Sequence, residues 1–467
     1  MKSSRVFVCS CLVLAGLIYT TTAAAATYEV NSIADLQARI NSAVAGDIII
    51  LHNGVYTTSA SITVNRQGNA TEPIKILAQT VGGVEITGTR GFNVTSPAKY
   101  VEIEGFLFTH SSGQNQIRSG ATHIRFTRNF FECTGEGAYL TVAGHDAQVD
   151  RNEFRNKSTL GNMIDVRGSG SQIAQRVWIH HNYFHDFTSP GGNGAETIRF
   201  GLSGLSLSNG LGVIEHNLFE RCTGENELIS NKSSSNTYRY NTIVDSPGGE
   251  LTLRHGNDCL VYGNYFRNSA GLRIFGDRHQ VFSNYLEAAI GINIGNGDGE
   301  VADGSPLTSH DRPDNCVITF NTLVNNTRNY FMTGRTNGLG ATNTIFANNI
   351  VQGGGVAASL SGPYPGATWG GNIIWETAGA GVMPAGTYDM INPLLEAKAK
   401  GIFRPQAGSP AIDSAIGNYP AVTFDLDGQP RTAPKDKGAD EDSTEPVVAE
   451  FLTPGAILRL IHGHDRL

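Results

Sequence analysis

The segment GENELISNKS, Gly224 to Ser233, sets two carboxylates one residue apart and a lysine five residues after the second. On an extended strand, side chains at i and i+2 share a face, so Glu225 and Glu227 stand side by side and repel each other unless a cation lies between them. The plainer reading of the stretch is a solvated polar edge. Upstream, GGNGAETIRFG adds Asn193, Glu196 and Arg199; downstream, LTLRHGN adds Arg254 and His255, and GLRIFGDRHQ adds Arg273 and Arg278. Glutamate and asparagine offer oxygen ligands only, which suit a hard cation such as Ca²⁺, whereas zinc or copper would ask for histidine and cysteine. A hard cation beside a base is the chemistry of uronate cleavage. The metal neutralises the sugar carboxylate and acidifies the C5 proton, a base removes that proton, and an acid protonates the departing glycosidic oxygen. A lysine serves as the base only where nearby cations and partial burial lower its pKa.

These residues need a scaffold that brings them together, and the sequence carries one. Asn, any residue, then a large apolar residue recurs at Asn129, Asn152, Asn182, Asn217, Asn241, Asn264, Asn284, Asn321, Asn348 and Asn372, at intervals from 20 residues (Asn264 to Asn284) to 37 (Asn284 to Asn321). Three residues before each stands another large apolar side chain, among them Phe126, Tyr238, Ile345 and Trp369. Two inward anchors flanking a polar bend, repeated at a variable period, predict a parallel β-helix with coils about 4.8 Å apart. Asparagine is expected at the bend itself, in the left-handed conformation, its amide bonding to the asparagines above and below. A β-sandwich would not keep one register over so many units. The longer intervals leave room for loops. In this frame Lys232 precedes Asn241 by nine residues, Arg254 and His255 precede Asn264 by ten and nine, and Arg273 precedes Asn284 by eleven. They fall on one face of successive coils, and counting does not separate Arg254 from His255. Tyr238, three before Asn241, reads as a core anchor and not as a catalytic phenol.

ENE followed by NKSSSN, then LTLRHGN, GLRIFGDRHQVFSNYLE and the closing turns SPAID and DLDGQPR resemble, as a set, polysaccharide lyase family 6, which groups alginate lyases with chondroitinase B. The resemblance runs from about Thr27 to Glu441. It implies an all-β, right-handed parallel β-helix, Ca²⁺ at the substrate carboxylate, a lysine base and an arginine acid. By motif, Lys232 is then the base, Arg254 the acid, and Asn193, Glu225 and Glu227 the calcium ligands, with Glu196 sharing or replacing Asn193. Arg199, His255, Arg273, Arg278 and Glu196 are expected against the substrate. GNGAETIRFG is closer to the alginate lyases than to chondroitinase B, and a basic stripe repeated coil after coil suits a chain in which every sugar is a uronate. Chondroitin or dermatan sulfate is the alternative substrate within the family. A glycoside hydrolase would need a separated pair of acids that this stripe does not supply. A non-catalytic carbohydrate-binding β-helix is the other rival.

The ends and the composition complete the expectations. Residues 1–26 combine Lys2 and Arg5, an apolar run from Val6 to Leu17 and the small residues Ala23 to Ala26, which reads as a signal peptide and a secreted or periplasmic protein. Cys9 and Cys11 leave with it, and Cys133, Cys222, Cys259 and Cys316 show no metal-site spacing. No later stretch is apolar enough to span a bilayer. With 34 Lys+Arg against 42 Asp+Glu, the chain is not a general nucleic-acid binder, so an anionic polysaccharide must be met locally. Charged residues at 16% and 56 glycines suit a turn-rich β protein, expected as a monomer. Ile33, Leu36, Ile40 and Val44 at helical spacing behind Asn31 or Ser32 predict an N-terminal capping helix. Residues 27–441 are expected as the β-helix and 442–467 as a tail with a short apolar piece, Val447 to Leu460.

Overall fold

Strands that alternate buried and half-exposed side chains, as Ile74–Ala78 does, bury one face only, and this chain closes its core by coiling. The computed structural model describes residues 25–111 and 115–463; residues 1–24 of the expected signal peptide lie outside the described residues. A 14-stranded parallel sheet runs in strict chain order from Thr27–Val30 to Thr368–Gly370. A 24-stranded sheet carries two further parallel ladders. They fuse where Thr242–His255 and Tyr265–Ile274 pass unbroken through the bend between them. The result is a three-faced parallel β-helix. Inside it, Phe131, Phe154, Phe184 and Phe219 stack ring on ring at 4.4, 4.8 and 4.8 Å, the spacing of the coils themselves.

The asparagine ladder is present and buried, with one change of register and one of mechanism. Asn217 is typical: its Nδ2 donates to Asn241 Oδ1 at 3.0 Å and to Ile179 O at 2.9 Å, and its Oδ1 accepts from the backbone N and Nδ2 of Asn182. The left-handed residue is not the asparagine but the one before it: Arg128, Arg151, His181, His216, Tyr240, Ser283 and Phe320 all have φ between 51° and 56°. The amide closes the bend while its predecessor turns the chain. Near the end of the stack the ladder runs through Asn349, not Asn348. Asn348 has φ 54° and is the turning residue, so Phe346, not Ile345, is the inward anchor.

Helix α1, Ile33–Ser42, closes the first coils with Leu36 and Ile40 fully buried. Ser32 is its N-cap, accepting from Asp35 N at 3.0 Å, and Val44 lies beyond its end. The C-terminal segment returns along the outside of the stack. Its helix α2, Pro454–His462, buries Ile457 and Ile461 against the outward-facing Phe130, Tyr183, Leu218 and Val244. Cys133, Cys222, Cys259 and Cys316 are buried and unpaired with one another. No helix among the described residues is long and apolar enough to cross a membrane.

Candidate active site

One face of the stack joins Ile198–Gly201, Ile229–Lys232 and the second halves of Thr242–His255 and Tyr265–Ile274. Arg199, Ser230, Thr252 and Arg273 are register partners there. Between Asn231 and Lys232 the register slips: Asn231 faces Leu253 but Lys232 faces His255, so Arg254 is an extra residue in a β-bulge. A bulge re-aims the side chain it carries. Arg254 turns to Glu227, its Nη1 donating to Oε1 at 2.7 Å, while His255 is buried.

Glu225 and Glu227 stand not on the expected strand but in the bend between Leu218–Thr223 and Ile229–Lys232, and they line a cleft with Arg254 and Arg273. Glu227 Oε1 also accepts from Arg273 Nη2 at 2.6 Å, and its Oε2 from Ser230 Oγ at 2.5 Å. Burial opposes the Glu227 charge, but Arg254 and Arg273 prevail and hold the carboxyl below its usual range. Glu225 Oε2 accepts from the backbone N–H groups of Gly194 and Ala195 at 2.6 and 2.9 Å. Burial, then the charges of Glu196 and Glu227, push the Glu225 carboxyl up. Glu196 is almost fully buried; its Oε1 accepts from Lys232 Nζ at 2.9 Å and its Oε2 from Asn162 Nδ2 at 2.8 Å. Carboxylate oxygens of Glu196, Glu225 and Glu227 all lie within 4.8 Å of one another. Asn193 lines the same cleft of about 440 Å³ with Glu225, Glu227, Arg254 and Arg273. An oxygen-only donor set, with one carboxyl destabilised by the other two, fits a hard divalent cation.

The expected site residues are not all gathered. Lys232, Arg254, Arg273, Asn193, Glu196, Glu225 and Glu227 converge. Glu196 stands with the carboxylate cluster and pairs with Lys232, which gives it a place on the cation side of the cleft. Arg199 is clamped by Asp165 through Nε and Nη2 at 3.0 and 2.8 Å. His255 is pushed down to about 3 by burial and then by Arg254, so it is neutral. Arg278 lies apart, bridging to Asp258 through Nε and Nη2 at 2.7 and 2.8 Å on the corner leading to the 14-stranded sheet. The even basic stripe is therefore broken: counting from the bend does not see the corner. Sequence reasoning missed Glu250, whose Oε1 is 2.9 Å from Arg273 Nε and whose carboxyl burial pushes up to about 7, and it missed Asp165. An acid one coil away from each arginine was the only signal.

A family model described as chondroitinase B matches residues 30–349. No curated protein sequence matches the chain. Among solved structures, the PL6-family alginate lyase AlyGC is 26% identical with a TM-score of 0.74, over 82% of this chain. The chain spans only 55% of AlyGC. A mannuronic acid-specific polysaccharide family 6 lyase from human gut microbiota is 28% identical with a TM-score of 0.66, over 75% of this chain and 86% of that one. A PL6 alginate lyase in complex with a trisaccharide, at 19% identity and a TM-score of 0.66, shares the fold over 82% of this chain.

Proposed function

The chain belongs to the chondroitinase B family, polysaccharide lyase family 6, and from that premise we propose that it cleaves alginate by β-elimination. The observation that carries the reading is the convergence of Lys232, paired with Glu196, and Arg254, paired with Glu227, on three clustered carboxylates, two of which line an open cleft. Glu225, Glu227, Glu196 and Asn193 would hold a calcium ion, which when bound neutralises the substrate carboxylate and acidifies the C5 proton. Lys232, acting as the neutral amine after its own proton has passed to Glu196 or to solvent, takes the C5 proton; the C4–C5 double bond forms as the bond from C4 to the glycosidic oxygen breaks, and Arg254 supplies the proton that oxygen needs. Glu227 fixes Arg254 and Arg273 through one oxygen, so the acid is positioned before substrate arrives. The Gly194 and Ala195 amides orient Glu225.

Alginate is favoured by the two similar lyases, one an alginate lyase and one specific for mannuronic acid. The test is to incubate the protein separately with alginate and with dermatan sulfate and to follow the ultraviolet absorbance of the unsaturated uronate. A rise with alginate is expected. A rise with dermatan sulfate alone overturns the substrate and leaves the elimination standing; no rise with either overturns the lyase reading. We also propose that the protein acts outside the cytoplasm, on the strength of the basic, apolar and small-residue order of residues 1–26.

A further inference from the structure

The face that presents Lys232 continues past it toward the N-terminal coils. Ile117, Val142, Val166, Phe200 and Asn231 are register partners on five successive coils. The residues one step further on those coils are Arg118, Ala143, Arg167, Gly201 and Lys232. A cation thus recurs on every second coil, with a small residue between. At about 4.8 Å per coil, successive cations are anchored roughly 10 Å apart. Ile117 and Val166 point into the core while Arg118 and Arg167 are exposed.

Between the two arginines lies a second cleft of about 370 Å³, lined by Ala143, Gln116, Thr141 and Ser169, with no carboxylate in its lining among the described residues. Arg118 Nε donates to a neutral amide, Asn93 Oδ1, at 3.0 Å. Arg167 shares the Asp165 carboxylate with Arg199, which already holds it through two hydrogen bonds. Arg118 is met by an amide and Arg167 by a carboxylate already neutralised by Arg199, so the lining of this cleft carries more positive charge than negative. This patch stands out on a chain whose net charge is −8.

An extended 1,4-linked pyranose chain turns the carboxylates of alternate sugars to opposite edges, so those on one edge recur at every second sugar. One sugar advances the chain by roughly one coil. Resting on the lyase reading above, we infer that the Arg118–Arg167 cleft is a distal subsite of the same groove. There the two guanidiniums bind carboxylates on one edge of a uronate chain, two and four sugars from the one whose proton Lys232 takes. Guanidinium is the group that binds carboxylate with charge and geometry together. The spacing is met by a pure uronan or by uronates alternating with another sugar, and the test separates them.

The experiment measures kcat and KM on alginate oligomers of increasing length for the wild type, Arg118→Ala, Arg167→Ala, the double variant and Arg118→Lys, with thermal melts of each. In the wild type KM falls once the oligomer is long enough to reach the cleft. In the double variant that gain is lost and KM on long chains rises about tenfold or more, with kcat far less affected. Arg118→Lys keeps part of the gain. Wild-type KM at every length in variants that melt normally overturns the inference. If dermatan oligomers are cleaved and alginate is not, the same length series is read on them. If neither is cleaved, the lyase reading fails, and calorimetric binding of both oligomer series to the wild type and to Arg118→Ala still judges the cleft: equal binding by the two proteins overturns it.

Discussion

Arg254 reaches Glu227 Oε1 at 2.7 Å because its strand holds one more residue than its neighbour between Asn231 and Lys232. Without that bulge Lys232 would face Arg254 across the ladder. With it, Lys232 faces His255, and Arg254 turns toward the carboxylate that also holds Arg273.

Replacing Lys232 with Ala is expected to lower the rate of unsaturated product formation by at least about 10²-fold, the scale of a lost proton-transfer group. The fold should persist, since the ammonium touches one carboxylate and the core lies beneath it. Circular dichroism melts alongside the ultraviolet assay check both. More than a few per cent of residual activity would remove Lys232 from the role of base.

Chelation is expected to suppress activity strongly, and added Ca²⁺ to restore it. Glu225→Gln is the cleaner companion to chelation, because Glu227 also anchors two arginines whereas Glu225 is held by backbone amides. That variant should need more Ca²⁺ for half-maximal activity. Full activity in chelator would show that the basic rim neutralises the substrate alone.

His181 and His216 stack at 5.0 Å on a corner of the helix, and burial pushes His216 down to about 4. The folded pKa is lower than the unfolded one, about 6.5, so between those values the unfolded chain binds a proton that the native state refuses. The His216 contribution to stability therefore falls as pH falls through that window. Comparing Tm of His216→Asn with that of the wild type isolates it: the difference should move in favour of the variant as pH drops from about 6.5 to 4. A pH-independent difference would contradict the assignment.

Ile457, on the inward face of the tail helix, is fully buried. Ile457→Ala should weaken docking of that helix by about 2–4 kcal/mol, read as faster hydrogen exchange over 454–462. Removing the helix altogether should expose Phe130, Tyr183, Leu218 and Val244 and raise binding of a hydrophobic dye. An unchanged exchange rate in Ile457→Ala would mean that the helix is held from elsewhere.

Much of this molecule was legible in the chain itself. The Asn-x-apolar repeat is periodic and strictly local, and the only way to bury its two anchors while pairing every amide is to stack coil on coil, so the β-helix follows. Glu225, Glu227 and Lys232 were legible as neighbours because they lie within eight residues, but the expected strand was not there: the two glutamates stand in the bend between Leu218–Thr223 and Ile229–Lys232, and the fold of that bend brings them together. Where two asparagines adjoin, at Asn348 and Asn349, the pattern fits either register, and only the hydrogen bond to Asn372 selects Asn349. Tertiary structure alone decided what crosses between coils. The bulge separates Arg254 from His255, burial sends Glu196 beneath Lys232, and a corner carries Arg278 to Asp258. The arginines of the second cleft fall in line with Lys232 through hydrogen bonds between coils. Contacts of that kind depend on how many residues each loop and bend absorbs, which spacing along the chain does not encode.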